Sequence, residues 1–265
     1  MITAGIDIGS ISAKAAIMKE DVLLGTKVIS TGYQAELSGN KVFSEILSEL
    51  GIARNMVERI VATGYGRKSM TAADKAITEI MCHAAGAHYL DPRIRSIIDI
   101  GGQDSKAIVM DDKGKVVNFV MNDKCAAGTG RFLEVMAGAL EVDLNQFGDI
   151  SLLADCPAKI SSLCTVFAES EVISLIAKGE KRENIIAGIH DSICARVSAM
   201  MMRIGVREPV MITGGVAKNA GVVRALGKMI HTPIEVSPYA QENGAIGAAL
   251  LARTLSSSKP GSVLS

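Results

Sequence analysis

The sequence lacks tryptophan, has few aromatic residues and carries no net charge. Among its 265 residues, aromatic side chains make up 3%, and 28 basic side chains balance 28 acidic ones. Surfaces that bind nucleic acid usually combine a basic patch with aromatic side chains that stack on bases. The composition therefore argues against nucleic acid as a partner, and it predicts an aliphatic core that uses many of the 13 methionines.

Two further absences concern location. The N-terminus has no basic segment followed by an apolar run, and no apolar run reaches the length needed to span a bilayer. These features predict a protein of the reducing cytoplasm with no membrane partner. In that compartment the 5 cysteines are expected to be thiols or metal ligands rather than disulfides.

The chain contains an architectural repeat. A predicted strand over residues 2–8 ends in Asp-Ile-Gly and is followed by strands over 13–18 and 22–30. A second apolar strand ends at Asp99-Ile100-Gly101, and two more strands follow it, over 106–110 and 116–121. Two such meanders predict a duplicated α/β fold whose halves face one cleft.

Helical spacing fills most of the remaining sequence. Asn40 is predicted to cap one helix, and Asp74 to begin another that contains Cys82 and His83. Adjacent residues do not share a helix face, so structural roles are expected for Cys82 and His83. His190 on a later helix is also expected to be structural. Further helices are predicted over 128–140, 143–154, 166–178, 183–204 and 245–249, with short strands over 210–213 and 234–237.

Three glycine-bearing turns each follow an apolar strand, at Gly9, at Gly101-Gly102 and at Gly214-Gly215. Glycine lets backbone N–H groups approach phosphate oxygens closely. The sequence contains neither a P-loop motif nor a complete Gly-x-Gly-x-x-Gly after a strand. We therefore predict that two hairpins grip ATP or ADP from opposite sides, although aspartate and glycine are also common in ordinary turns.

Roles follow from this arrangement. Asp7 and Asp99 are expected to face the Mg²⁺ of the nucleotide, and Gln103 or Asp104 to orient the attacking water. The predicted catalytic residues are thus Asp7, Gln103 and Asp104. The predicted nucleotide-binding residues are Gly9, Ser10, Ser12, Lys14, Asp99, Gly101, Gly102, Gly214, Gly215, Val216, Gln241 and Gly244.

Two cysteines precede predicted helices. Cys125 stands beside Lys124 and runs into a helix through Phe132, and Cys164 runs into another helix. A helix N-terminus and a nearby ammonium both favour thiolate over thiol. Either cysteine alone could be a packed core residue, but the matched pair favours metal ligation or nucleophilic chemistry.

These motifs resemble the activator ATPases of 2-hydroxyacyl-CoA dehydratases. That family belongs to the actin, sugar kinase and Hsp70 superfamily (ribonuclease H-like), and it also holds the ATPase subunits of benzoyl-CoA reductase and the reductases of double-cubane-cluster proteins. The resemblance covers about residues 3–252. It is carried by the turns at Asp7 and Asp99, by 122–132 and 164–171, and by 214–217.

The resemblance implies a homodimer with one 4Fe–4S cluster, ligated by Cys125 and Cys164 of each chain. Such a cluster takes four thiolates, and a two-fold axis would double the two that this chain offers. The resemblance further implies that ATP hydrolysis drives one electron, received from a ferredoxin or flavodoxin, into an iron–sulfur partner enzyme. It divides the chain into a first lobe (1–94 with 242–254), a second lobe with the cysteines (95–241) and a disordered tail (255–265).

One residue departs from the family pattern, and several alternatives stay open. Ile11 stands where the first phosphate loop usually has threonine, and Ser12 could replace the missing hydroxyl. The partner could be a dehydratase, a double-cubane-cluster protein or a benzoyl-CoA reductase-type enzyme. A small-molecule kinase and a nucleotide-switched binding module with core cysteines are the competing functions.

Overall fold

Two five-stranded sheets organise the chain. The structure is a computed structural model and describes residues 1–161 and 164–255. The first sheet contains β1 (Ile2–Ile8), β2 (Ser12–Lys19), β3 (Val22–Ser30), β4 (Arg59–Thr63) and β5 (Lys75–Ala76), in the order β3-β2-β1-β4-β5. Strands β1 to β3 form the antiparallel meander, and β4 runs parallel to β1. Helix α1 (Ala35–Leu50) packs its apolar face on this meander.

The second sheet repeats this design. It contains β6 (Ser96–Ile100), β7 (Ser105–Met110), β8 (Val116–Asn122), β9 (Val210–Thr213) and β10 (Ile234–Val236), in the order β10-β9-β6-β7-β8. Strands β6 to β8 are antiparallel, and β9 runs parallel to β6. Its helices are α3 (Gly130–Ala139), α4 (Leu144–Ser151), α5 (Thr165–Ala177), α6 (Arg182–Ile204) and α7 (Ala220–Ile230). Matching strand orders confirm the predicted duplicated two-lobed α/β fold.

The duplication extends to single residues. Asp7 pairs across the strands with Lys14, and Asp99 pairs with Lys106 in the same register. On the other side, Asp7 pairs with Thr63, as Asp99 does with Thr213. Each sheet therefore presents an aspartate flanked by a lysine and a threonine at the end of its central strand.

Two helices, α2 (Glu79–Leu90) and α8 (Asn243–Ala252), lie against each other between the sheets. Helix α8 also packs on β1, β2 and β4, at very short range: a Cβ added to Gly5 would lie 2.0 Å from the carbonyl oxygen of Ala245. A Cβ on Gly247 would lie 1.7 Å from the carbonyl oxygen of Cys82. Small residues let the last helix of the described chain complete the layer over the first sheet.

Helix α6 forms the centre of the second core. Its buried residues include Ile185, Ile189, Ile193 and Val197, and its methionine Met201 is fully buried. By length and composition, this 23-residue helix could cross a membrane, contrary to the expectation that no run is long enough. Its apolar window is 67% buried within the fold, as expected of a core helix in a globular protein.

Two predicted helix starts are wrong. Helix α1 begins at Ala35, so that Asn40 lies inside it. Helix α2 begins at Glu79 rather than Asp74, because the Asp74 carboxylate accepts a hydrogen bond from the backbone N–H of Ile60 and serves the adjacent strands. The predicted tail over 255–265 lies outside the described residues except for Leu255.

Candidate functional site

A cavity of about 390 Å³ lies between the two sheets. Both hairpins and the turn after β9 line it, so residues that are far apart in sequence share one space. The predicted residues that line it are Asp7, Gly9, Ser10, Ser12, Lys14, Asp99, Gly101, Gly102, Gln103, Asp104, Gly214, Gly215, Val216 and Gln241. Gly244 lies just behind the wall, where an added Cβ would be 3.2 Å from Oδ2 of Asp7.

The two hairpin turns have the same hydrogen-bonding pattern. The N–H of Gly9 donates to the carbonyl of Ser12 at 3.0 Å, and the N–H of Gly101 donates to that of Asp104 at 2.9 Å. Each turn follows a buried aspartate, Asp7 or Asp99. The turns therefore approach the cavity as two equivalent edges, one from each sheet.

The third turn follows β9. The N–H of Gly214 donates to the carbonyl of Ala240 at 2.9 Å, and this glycine has a positive φ of 87°. Next to Ala240 in sequence, Gln241 reaches across to the first hairpin, where its Nε2 donates to Oγ of Ser12 at 3.4 Å. The second and first lobes thus meet through a side-chain hydrogen bond at the cavity rim.

Lys106 is the centre of a buried charge network. Its Nζ lies 2.8 Å from Oδ2 of Asp104, 3.1 Å from Oδ2 of Asp99 and 3.2 Å from Oε1 of Glu79. Burial would lower the pKa of this lysine, but the three carboxylates outweigh burial and raise it. Lys106 therefore stays charged inside the protein.

The carboxylates respond to their surroundings in different directions. Burial would raise the pKa of Asp99, but His83, Lys106 and the hydroxyl of Thr213, which donates to Oδ1 at 2.9 Å, hold it well below its usual range. For Glu79, burial dominates and raises the pKa, although Lys106 opposes the shift. Asp99 is thus fixed as an anion, whereas Glu79 binds a proton more readily.

His83 belongs to the cavity wall, which the sequence did not predict. Its Nδ1 lies 3.3 Å from Oγ1 of Thr213, 3.1 Å from Nδ2 of Asn243 and 3.6 Å from Oδ1 of Asp99. Its neighbour Cys82 is buried as expected, and burial raises the pKa of that thiol to about 12. His83 therefore lines the cavity, and the structural role expected for it stays a prediction.

Lys106, Glu79 and Thr213 were also missed. Lys106 follows Asp99 by seven positions, as Lys14 follows Asp7, so the repeat contained a signal for it. Glu79 and Thr213 reach the site through tertiary packing of α2 and β9. No local motif marks either of them.

Ile11, the departure from the family pattern, lies opposite the second hairpin. Its side chain is 43% exposed, and a Cβ added to Gly102 would lie 2.2 Å from Cγ1 of Ile11. The two hairpins therefore approach each other closely at Ile11 and Gly102.

The two candidate ligand cysteines lie outside the cavity wall. Cys125 is half-buried in the loop after β8, and exposed Cys164 is the N-cap residue of α5. Helix α3 begins only at Gly130, and the N–H groups of Gly130 and Arg131 donate to the carbonyls of Gly101 and Gly102, both at 2.8 Å. The expected help of a helix N-terminus for the Cys125 thiolate is therefore wrong, because carbonyl oxygens of the second hairpin use these donors.

The cysteine pair fits only part of an iron–sulfur site. In residues 1–161 and 164–255, no three or more His, Cys, Asp or Glu side chains are grouped to hold a metal ion. Accessible thiols at Cys125 and Cys164 can supply two of the four thiolates that a 4Fe–4S cluster takes. The donor set therefore fits half of a shared site, and a second chain would have to complete it.

Duplicated lobes, paired aspartates and glycine turns around one cleft define a nucleotide-binding protein of the actin and sugar kinase class. The chain belongs to the BadF/BadG/BcrA/BcrD ATPase family, which it matches over residues 4–252.

Solved and curated relatives agree with this assignment. The chain is 48% identical over 254 residues to the 2-hydroxyisocaproyl-CoA dehydratase activator of Clostridioides difficile, covering 95% of both chains. The structure of the activator of the 2-hydroxyisocaproyl-CoA dehydratase from Clostridium difficile with bound ADPNP superposes with a TM-score of 0.91 at 47% identity, covering 95% of this chain and 94% of that one. A ROK hexokinase from Thermus thermophilus shares the fold alone, with a TM-score of 0.54 at 15% identity, over 96% of this chain and 98% of the hexokinase.

Proposed function

We propose that this protein is an ATP-dependent one-electron activator. In this proposal a homodimer shares one 4Fe–4S cluster and reduces an iron–sulfur partner such as a 2-hydroxyacyl-CoA dehydratase. The observation that carries the proposal is the pair of hydrogen bonds from the start of α3 to the carbonyls of Gly101 and Gly102. Because α3 begins five residues after Cys125, a change at the phosphate turn has a short backbone route to that thiol.

Residues of the cavity would bind and hydrolyse the nucleotide. The N–H groups of the three glycine turns are suited to phosphate oxygens, and Lys14 can neutralise phosphate charge from the first hairpin. Asp7 and Asp99 would hold Mg²⁺, which usually keeps one or two carboxylates together with phosphates and water. Gln103 or Asp104, on the second turn, would orient a water molecule for attack on the terminal phosphorus.

The surroundings of Cys125 support its proposed role as a ligand of the cluster. When bound, a 4Fe–4S cluster supplies a one-electron carrier whose potential depends on hydrogen bonds and solvent exposure. Cys125 is held by its loop: Nδ2 of Asn122 donates to the Cys125 carbonyl at 2.9 Å, and Oγ1 of Thr129 donates to Ala126 at 2.6 Å. An ordered loop lets a small movement of α3 reach the thiol.

The surface beside Cys164 supports a homodimer. Val166, in the first turn of α5, is 66% exposed, and Ile173 and Ile176 continue this apolar surface along the helix, while Phe167, 67% exposed, lies beside Val166 in the same turn. A contiguous apolar surface of this kind often marks a protein interface. We call it the α5 face. A second copy on the α5 face would bring its own cysteines towards Cys164 and close the set of four thiolates.

The remaining assignments follow from this role. We place the protein in the cytoplasm, with a ferredoxin or flavodoxin as electron donor. The nucleotide would lie between a first lobe, 1–94 with 242–254, and a second lobe, 95–241. A double-cubane-cluster protein or a benzoyl-CoA reductase-type enzyme could accept the electron at the same cluster, since acyl-CoA specificity would belong to the partner.

The test uses protein purified without oxygen. We expect about four irons per dimer, and ATP-dependent reduction of an added dehydratase by the reduced protein. The double variant Cys125→Ala, Cys164→Ala should lose the iron but keep nucleotide binding. The matched control is Cys156→Ala, which removes another exposed cysteine. Full iron content in the double variant, or equal loss in the control, would exclude the proposed ligands.

A further inference from the structure

We infer that Lys106 is a built-in counter-cation of the proposed nucleotide site: its ammonium occupies the centre of a carboxylate cluster, so that a divalent metal ion enters only together with a nucleotide. The inference rests on the proposed nucleotide-binding role of the cavity. It concerns a residue that sequence motifs did not single out, and it assigns Lys106 a positioning role rather than contact with the reacting atoms.

The first observation is that carboxylates surround the Lys106 ammonium and exclude it from solvent. The Lys106 side chain is 1% exposed, and its ammonium lies within 3.2 Å of an oxygen of each of three carboxylates. These come from three different elements: Asp99 from β6, Asp104 from the second turn and Glu79 from α2. One buried charge thus holds together the sheet, the phosphate turn and the helix between the lobes.

The second observation is the contrast with its counterpart in the repeat. Lys14 has the same register position in the first sheet, but its side chain is 13% exposed and its ammonium contacts one carboxylate, Oδ2 of Asp7 at 3.2 Å. Lys14 can turn towards a phosphate by giving up one ion pair, whereas Lys106 would have to leave three. Lys14 is therefore suited to contact a nucleotide phosphate, whereas Lys106 is suited to neutralise the carboxylates.

Charge balance explains what Lys106 prevents. Six carboxylates line the cavity together with Lys14, Lys106 and Lys218, and three of the six, those of Glu79, Asp99 and Asp104, contact Lys106. Carboxylate oxygens are the protein ligands that Mg²⁺ and Mn²⁺ prefer. Without Lys106, the buried carboxylate of Asp99 and the half-buried carboxylates of Glu79 and Asp104 would lie close together without a cation, and uptake of protons or of a metal ion would relieve their repulsion.

In residues 1–161 and 164–255 no three or more His, Cys, Asp or Glu side chains are grouped to hold a metal ion, and the Lys106 ammonium occupies the space where three carboxylates converge. A metal would gain too little from the remaining carboxylate oxygens alone, and the phosphates of a nucleotide must supply the other ligands. The consequence is ordered binding, in which metal and nucleotide arrive as one unit.

The test measures metal binding without nucleotide. Free Mn²⁺ is followed by electron paramagnetic resonance while apo protein is titrated, for wild type, Lys106→Met, Lys106→Arg and Lys113→Met. Lys106→Met is expected to bind one Mn²⁺ at least about tenfold more tightly than wild type, because it keeps the carboxylates and loses their cation. Lys106→Arg keeps the charge and should resemble wild type, as should Lys113→Met on an exposed turn.

Two results would overturn the inference: tight Mn²⁺ binding by wild type without nucleotide, or a folded Lys106→Met variant with no gain in Mn²⁺ binding. Should Lys106→Met unfold in metal-free buffer, Mg²⁺ or Mn²⁺ alone must restore its melting transition, and failure to do so also overturns it. Nucleotide affinity is measured separately with a fluorescent ADP analogue. If the wild-type protein binds no nucleotide, the proposed function is refuted. The difference in Mn²⁺ binding between wild type and Lys106→Met can still be measured in that case.

Discussion

Gly64 and Gly214 share a φ of 87° at equivalent places in the two halves of the molecule. Each follows the strand that runs parallel to an aspartate-bearing strand, and each approaches that aspartate closely. An added Cβ would lie 2.4 Å from Oδ1 of Asp7 at Gly64, and 3.0 Å from Oδ1 of Asp99 at Gly214. In each half of the molecule, the glycine thus lets the backbone approach the aspartate at a distance that a side chain would prevent.

Gly214→Ala is expected to destabilise the protein and weaken ATP binding. A left-handed backbone costs a residue with a Cβ about 1–2 kcal/mol, and the new carbon would also meet the carbonyl oxygen of Ile100 at 2.3 Å. Urea unfolding and ATP titration measure both effects. Gly215→Ala is the control for the unfolding measurement only, since an added Cβ there has no heavy atom within 4 Å. Equal stability of the two variants would contradict the explanation.

Gly102→Ala is expected to raise the KM for ATP, because the new methyl group would push the second hairpin away from Ile11. The double variant Gly102→Ala, Ile11→Ala should recover much of the lost affinity, since the smaller side chain makes room. Ile11→Ala alone serves as the reference. Steady-state ATPase kinetics give the KM for ATP of each variant. A double variant whose KM is as high as that of Gly102→Ala would show that the contact between position 102 and Ile11 does not affect ATP binding.

The free energy of unfolding is expected to fall as the pH drops from 7 to 5. Burial lowers the pKa of His190 from its ordinary value of 6.5 to about 4. Between those values the unfolded chain binds a proton that the folded protein excludes, so acid favours unfolding. Over this interval the effect amounts to about 2 kcal/mol.

His190→Leu should flatten that pH dependence, whatever it does to stability at pH 7. The opposite contribution of Glu79, whose pKa is raised by burial, remains in both proteins and cancels in the comparison. His231→Asn is the control, because His231 is exposed and asparagine tolerates its left-handed backbone. An unchanged slope in His190→Leu would mean that another group titrates.

Phe167→Glu is expected to yield a monomer that loses iron but still binds nucleotide. The change places a charge at the N-terminal end of the α5 face, beside Val166, and leaves the cavity untouched. Light scattering gives the oligomeric state, and iron analysis gives cluster content. Leu37→Glu, at an exposed apolar position on α1, is the control. A dimeric, iron-replete Phe167→Glu protein would remove the α5 face from the interface.

Sequence reasoning identified those parts of the site that short sequence motifs mark. Asp7 and Asp99 could be found because each is the second-last residue of an apolar strand that runs directly into a glycine, and the repeat of this pattern indicated two lobes around one cleft. The same reasoning failed for His83 and Glu79, since only the packing of α2 between the sheets brings them to the cavity.

Helix starts failed for a related reason. Asn40 and Asp74 are residue types that favour helix caps, yet α1 begins before the first, and the second bonds to Ile60 at the start of β4. Short polar side chains satisfy whichever backbone donor the tertiary structure brings near. Lys106 is a different kind of omission, because its spacing from Asp99 repeats that of Lys14 from Asp7 and could have been used.

The packing of α8 on β1 also dictates an order of assembly during synthesis. Gly5 lies in the first strand of the first sheet, but the helix that packs on it, Asn243–Ala252, comes after every strand of the second sheet in the sequence. Until that helix emerges, the first sheet exposes an apolar side, and Asp7 lacks part of its surroundings. A nascent chain would therefore complete the first sheet's surroundings only after all strands of the second sheet have been synthesised.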